Sequence, residues 1–204
     1  YDGLTTATLS VGSAALSGVV SGDLVTLNTG SAAGTFDNKN VGTGKTVTVS
    51  GLTISNTDSG NYSLTQPTTT ANVTVRSLTV TASNQTKTYG NASLGSSSFT
   101  SSGLQNSETI GSVTLTSNSS LSTSGNTIVG SSTIPPSSAT GGTFTAGNYS
   151  ITYATGTLTV NQAALTVTGV TASNKVYDGL TTATLSVGSA ALSGVVSGDL
   201  VTLN

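Results

Sequence analysis

The chain lacks cysteine, histidine, methionine and tryptophan altogether, and it has little charge of either sign. Without histidine there is no imidazole base and no common zinc or haem ligand. Without cysteine there is no thiol nucleophile, disulfide, iron–sulfur cluster or zinc finger. Lysine and arginine total 5 of 204 residues, too few and too scattered for a phosphate-binding surface, so nucleic-acid binding is not expected. A single glutamate and six aspartates leave little material for paired-carboxylate catalysis. No apolar run approaches the length of a membrane span. On these grounds the chain is not expected to be an enzyme: no residue is nominated as catalytic, cofactor-binding or metal-binding, and no cofactor is implied.

What is present is hydroxyl: 41 Thr and 34 Ser, with 25 Gly. Such a composition raises the question of disorder. Leu, Ile, Val and Phe nevertheless make up 47 residues, above the level of disordered chains, and the net charge is only −2. The chain reads as folded. Low charge with abundant Thr, Ser, Asn and Gly suits an exported surface β-protein, and the lack of cysteine suits bacterial exported repeats but also the cytosol.

Self-similarity is the strongest signal. Residues 1–28 recur unchanged at 177–204, a period of 176 residues. A weaker repeat halves that period. Gly60-Asn61-Tyr62-Ser63-Leu64-Thr65 matches Gly147-Asn148-Tyr149-Ser150-Ile151-Thr152, and Leu78-Thr79-Val80-Thr81 matches Leu165-Thr166-Val167-Thr168. The expected organisation is a β domain at 1–76 lacking its first strand, a complete related domain at 77–163, and the first part of another domain at 164–204. The sequence reads as a window on a longer tandem array, so the lack of a leader peptide carries no weight.

Alternation with period two predicts short strands throughout. Val47, Val49, Leu52 and Ile54 alternate with threonine and serine, with a phase break at Gly51. Similar runs occur at Val113–Leu115, Leu158–Val160 and Leu165–Val167, and only Ser13–Val20 has room for a helical turn. The fold expected is all-β: tandem immunoglobulin-like antiparallel β-sandwich domains stacked end to end, with β-grasp-like modules as the alternative. In the sandwich reading, Asp58-Ser59-Gly60-Asn61-Tyr62 is a tyrosine corner, with Leu64 in the place of a disulfide cysteine. Tyr149 forms a less certain corner, because no aspartate precedes it.

Lys175-Val176-Tyr177-Asp178-Gly179 and Gly194-Val195-Val196-Ser197-Gly198-Asp199 resemble the YDG domain of bacterial surface proteins. Gly34-Thr35-Phe36-Asp37-Asn38-Lys39-Asn40-Val41-Gly42 and Gly60-Asn61-Tyr62 extend the likeness. The middle segment, with Lys87-Thr88-Tyr89-Gly90 and Gly147-Asn148-Tyr149, resembles the MBG domain of the YGX type. The resemblance implies a repeat module of very large secreted adhesins, outside the cell, with no catalytic residues to carry over.

Several motifs have plainer readings. Gly42-Thr43-Gly44-Lys45-Thr46 lacks the upstream glycine and following helix of a phosphate loop, and reads as a turn into a strand. Asp58-Ser59-Gly60 occurs once per period, not as a pair. Asp2, Asp23, Asp37 and Asp58 fall singly at turns, where aspartate bonds its own backbone. Lys45 with Asn61 or another asparagine is a candidate for an amide crosslink. The Asn-x-Ser/Thr sites, among them Asn61, Asn91 and Asn148, arise easily at this hydroxyl content. The function expected is a mechanical stalk or filament module of a giant cell-surface adhesin or extracellular fibre. Its partners are neighbouring identical repeats, through strand pairing as one route. The alternative is a repeated glycan- or host-protein-binding module acting by avidity.

Overall fold

The computed structural model describes residues 1–91 and 93–204, so the middle residue of the Asn91 sequon lies outside it. It is built almost wholly from β-strands, with two three-residue 3-10 turns at Ser59–Asn61 and Ala146–Asn148 as the helical content of the described residues. Ser13–Val20 is irregular, with a turn ending at Ser13 and a bend at Gly18, and not a helix. The sheets are small, of two to four strands.

The chain gathers into two compact units. The first holds Tyr1–Thr79, Ser101–Ile110 and Gly141–Thr152; the second holds Val80–Thr100, Gly111–Thr140 and Tyr153–Asn204.

In the first unit, strands Thr6–Ala7, Ala33–Phe36, Gly42–Ser50 and Thr68–Val73 form an antiparallel sheet in that order. Its alternation is the one read from sequence: Val47 and Val49 are buried, while Thr46 and Thr48 are exposed. Ala7 pairs with Gly34, which pairs with Val49, so one inward row carries two small residues. The reason is Leu9, whose Cδ2 would lie 2.7 Å from a Cβ on Gly34. The phase break at Gly51 is also present. Gly51 has a φ of 76°, and a Cβ there would lie 2.1 Å from the Ser31 carbonyl oxygen. Only glycine fits, and the chain resumes as strand Thr53–Ser55, paired with Thr26–Asn28.

The second unit differs from the expected antiparallel pattern. Strand Gly156–Asn161 pairs antiparallel with Gly130–Ile134 on one side and parallel with Gln85–Thr88 on the other. The parallel pair arises because strand Gln85–Thr88 belongs to a different sheet from strand Arg76–Ala82, although only Ser83 and Asn84 separate them. Asn84 Oδ1 accepts a hydrogen bond from the Thr157 amide at 2.8 Å, which secures that crossing. Gly156 lies against it, where a Cβ would come within 2.5 Å of the Ala82 carbonyl oxygen. Ala82, Ile134, Leu158 and Val160 form the core, with Tyr89, Leu94 and Leu115 packed on its edge.

The two identical 28-residue segments fold differently. Thr6–Ala7 is a strand paired with Gly34–Thr35. In the second copy the strands are Leu185–Ser186, paired with Thr171–Ala172, and Ala191–Ser193, paired with Thr166–Thr168. The partners of the second copy come from chain ahead of it, whereas those of the first, including Thr53–Ser55 beside Thr26–Asn28, come from chain after it.

Candidate functional site

The polar chemistry of the chain concentrates at three short acidic turns. Gly18-Val19-Val20-Ser21-Gly22-Asp23, Gly103-Leu104-Gln105-Asn106-Ser107-Glu108 and Gly194-Val195-Val196-Ser197-Gly198-Asp199 share one build. In each, the amide of the acidic residue donates to the carbonyl three residues earlier: Asp23 to Val20 at 3.1 Å, Glu108 to Gln105 at 2.9 Å, Asp199 to Val196 at 3.1 Å. The turn lifts one carboxylate clear of the backbone.

Tyrosines close on these carboxylates. Tyr62 donates to Asp23 Oδ2 at 2.5 Å and accepts from the Val20 amide at 2.9 Å. Tyr149 repeats both bonds, donating to Glu108 Oε2 at 2.5 Å and accepting from the Gln105 amide at 3.1 Å. The tyrosine-corner expectation is therefore corrected. Each hydroxyl reaches about 40 residues back in the chain to an acidic turn and does not tie its own corner. Tyr149 is no weaker for want of a preceding aspartate, because the same 3-10 turn, Ala146–Asn148, delivers it. Asp58 has a separate task, accepting from the Leu24 amide at 2.8 Å.

A second tyrosine arrives from a different motif. Tyr1 donates to Glu108 Oε1 at 2.6 Å, and its ring meets the Tyr149 ring edge-on at 5.4 Å. Lys39 Nζ joins the same oxygen at 3.2 Å. Beside them, Asn148 donates through Nδ2 to Asn40 Oδ1 at 3.0 Å and accepts from the Val41 amide at 2.9 Å. All these residues lie in the first unit. In the second unit, Tyr89 donates to Asp199 Oδ1 at 2.9 Å, and Ser124 Oγ donates to that same oxygen.

The turn after the second tyrosine explains its motif. Asp2 Oδ1 accepts from the Leu4 amide and Asp178 Oδ1 from the Leu180 amide, each at 2.9 Å. The glycines between, Gly3 and Gly179, take φ of 79° and 73°. Gly90 after Tyr89 has a φ of 87°. Gly3 lies so close to Asn106 of the acidic turn that a Cβ would stand 2.2 Å from its Nδ2.

Glu108 is the most enclosed of the carboxylates, at 8% exposure. Burial alone would raise its carboxyl. The hydrogen bonds from Tyr1, Tyr149 and Lys39 outweigh burial and hold it below the ordinary glutamate value of 4.5. The Tyr149 hydroxyl is pushed up to about 12 by burial and then by its bond to Glu108. Tyr1 is raised for the same two reasons, and Tyr62 by its bond to Asp23. These tyrosines are held as neutral donors, an arrangement suited to holding and not to proton transfer.

Gly42–Thr46 lies within strand Gly42–Ser50, which bulges between Gly42 and Lys45. Lys45, with a side chain 8% exposed, sits 2.7 Å from Asp37 Oδ1 and donates to Asn38 Oδ1 at 2.8 Å. Its partners are therefore Asp37 and Asn38, not Asn61. A groove of about 370 Å³ in the second unit has Tyr89, Val129, Leu165 and Val196 among its walls.

A family model for the YDG domain matches residues 1–71 and 161–204. The chain belongs to the YDG domain family. Between those stretches, residues 78–159 match the MBG domain (YGX type). No curated protein and no solved structure matches the chain. The tyrosine of the YDG motif is thus the residue that meets the MBG domain's Glu108, and the MBG tyrosine, Tyr89, meets Asp199 of the next YDG copy. Asp23 was read as a turn residue and Gly194–Asp199 as part of the family likeness, but the Glu108 turn and the pairing of all three with tyrosines escaped the sequence reading. Gly-x-x-x-x-Asp/Glu, its acidic residue 39 or 41 positions before the tyrosine of a Gly-Asn-Tyr, was the available signal, disguised by the exchange of Asp for Glu.

Proposed function

We propose that the chain is a non-catalytic repeat module of a large extracellular surface protein, acting as a mechanical stalk or filament. YDG and MBG domains together fit a repeat module of large surface proteins. No described helix is long and apolar enough to cross a membrane. The observation that carries the mechanical role is the junction itself. At Glu108 the carboxylate is gripped by Tyr149 of its own domain and by Tyr1 and Lys39 of the YDG domain before it. A repeat array tied at each boundary by buried, charge-assisted hydrogen bonds resists being pulled or bent there.

The binding-module reading needs exposed aromatics grouped on one face. Tyr1, Tyr62, Tyr89 and Tyr149 are instead committed to carboxylates. Electron microscopy of the native protein, with a denaturing gel of the same material, tests the proposal. Single thin rods from a very high-mass band are expected. Laterally ordered fibres built from short chains would overturn the stalk in favour of self-assembling material, and a strong signal on a glycan array would favour the binding module.

A further inference from the structure

We propose that Asp37, Asn38 and Lys45 of the YDG domain form a self-modifying site, at which Lys45 Nζ joins Asn38 Cγ in an amide crosslink with loss of ammonia.

The strand places the lysine. Lys45 lies in phase with Val47 and Val49, the buried residues of strand Gly42–Ser50, so its side chain starts from the inward face of the sheet. Gly42 leaves room for its stem: a Cβ there would stand 3.2 Å from Lys45 Cγ and Cδ. With its side chain 8% exposed, the lysine has little water to solvate its charge, and its end is held by protein groups. Nζ stands 2.7 Å from Asp37 Oδ1 and 2.8 Å from Asn38 Oδ1. The turn holds both acceptors still. The Asn38 amide donates to Asp37 Oδ1 at 2.8 Å, and the Asn40 amide donates to Asn38 Oδ1 at 3.0 Å. An amine, a carboxylate and a polarised carboxamide thus meet at one point.

That set is sufficient for transamidation. The hydrogen bond from Lys45 holds the Asp37 carboxyl below its ordinary 3.8, so it is ionised and free to act as a base. Asp37 takes a proton from the Lys45 ammonium, and the freed amine attacks Asn38 Cγ. Negative charge gathers on Oδ1, where the Asn40 amide already donates. Asp37 returns its proton to Nδ2 and takes a second from the attacking nitrogen. The Cγ–Nδ2 bond breaks, and the ammonia that leaves collects the remaining proton from Asp37. One carbon–nitrogen bond forms and one breaks, with no change of oxidation state and no co-reactant.

The bond closes a ring over residues 38–45. Inside it lie Lys39, Asn40 and Val41, which make the contacts to Glu108 and Asn148 of the MBG domain. A closed ring has fewer shapes open to it, so the crosslink holds that loop ready to grip the next domain.

The intact mass of the folded 204-residue chain, read after denaturation, tests the site. A value about 17 Da below the sequence mass is expected. Lys45→Arg, which keeps the ion pair with Asp37, and Asn38→Ala are each expected at full sequence mass. Asp37→Asn removes the base and should slow the mass loss by about 100-fold or more. Trypsin locates the bond. An unlinked Lys45 releases residues 40–45, whereas a linked one leaves 1–39 joined to 40–76. Full sequence mass in the folded wild type, with 40–45 released, would overturn the proposal. So would a loss of about 18 Da, because departure of water places the bond on Asp37. Neither mass bears on whether rods are seen by microscopy, so the crosslink and the stalk are judged separately.

Discussion

Replacing Glu108 with glutamine tests whether the junction is held by charge. Glutamine keeps the size of the side chain and one acceptor oxygen, but it offers Tyr1, Tyr149 and Lys39 no carboxylate. A hydrogen bond to a charged group contributes about 1.5–3 kcal/mol. Lys39 is 43% exposed along its side chain, so its pairing adds little to the total. The cost therefore falls on the two tyrosine bonds, and Glu108→Gln should lose on the order of 2–4 kcal/mol. The assay is urea unfolding followed by NMR through the Gln105 amide, which bonds the Tyr149 hydroxyl and so reports this unit alone. The pH dependence supplies a second check. The folded Glu108 carboxyl lies below its ordinary 4.5, so its stabilisation is fully present above that value. It is lost as pH falls through the lower, folded value. The gap between wild type and Glu108→Gln should be flat from neutral pH down to about 4.5 and shrink below it. A difference under about 0.5 kcal/mol at neutral pH, or a gap that does not shrink in acid, would refute the reasoning.

The paired asparagines give a sharp contrast. Asn148→Ala leaves the Val41 amide and Asn40 without a partner and should cost about 1–3 kcal/mol in urea unfolding, whereas Asn61→Ala in the same motif should stay within about 0.5 kcal/mol. In alkali, Tyr149 holds its proton up to about 12 against an ordinary 10.0, so stability falls as pH rises between them, on the order of 2 kcal/mol in all. Ultraviolet titration of phenolate should then find at least one tyrosine that ionises only on unfolding, and Glu108→Gln should bring it down. In the second unit, Ile134→Ala removes a fully buried side chain and should cost about 2–5 kcal/mol by urea unfolding.

Strand alternation was legible wherever one face is buried. Val47, Val49, Leu158 and Val160 are inward, as the period-two pattern required, and Gly51 breaks the phase for a reason visible in its φ. The parallel pairing of Gln85–Thr88 was not legible, because alternation says which face a residue takes and not which strand lies beside it. Of the site, the Gly-Asn-Tyr tyrosines were read as corner residues, and Tyr89 and Tyr177 entered through the family motifs. Their pairing with carboxylates was not legible, since partners about 40 to 110 residues away leave no local trace.

The junctions differ in the charge of their second donor. Glu108 has a lysine beside its tyrosines, at 3.2 Å, whereas among the described residues Asp199 takes the hydroxyls of Tyr89 and Ser124. Ions in solution weaken the first kind of contact and act far less on the second. Because the exposed Lys39 pairing adds little at the first, both kinds of boundary in an alternating array would keep their stiffness as salt rises, and ionic strength would not choose where the array bends.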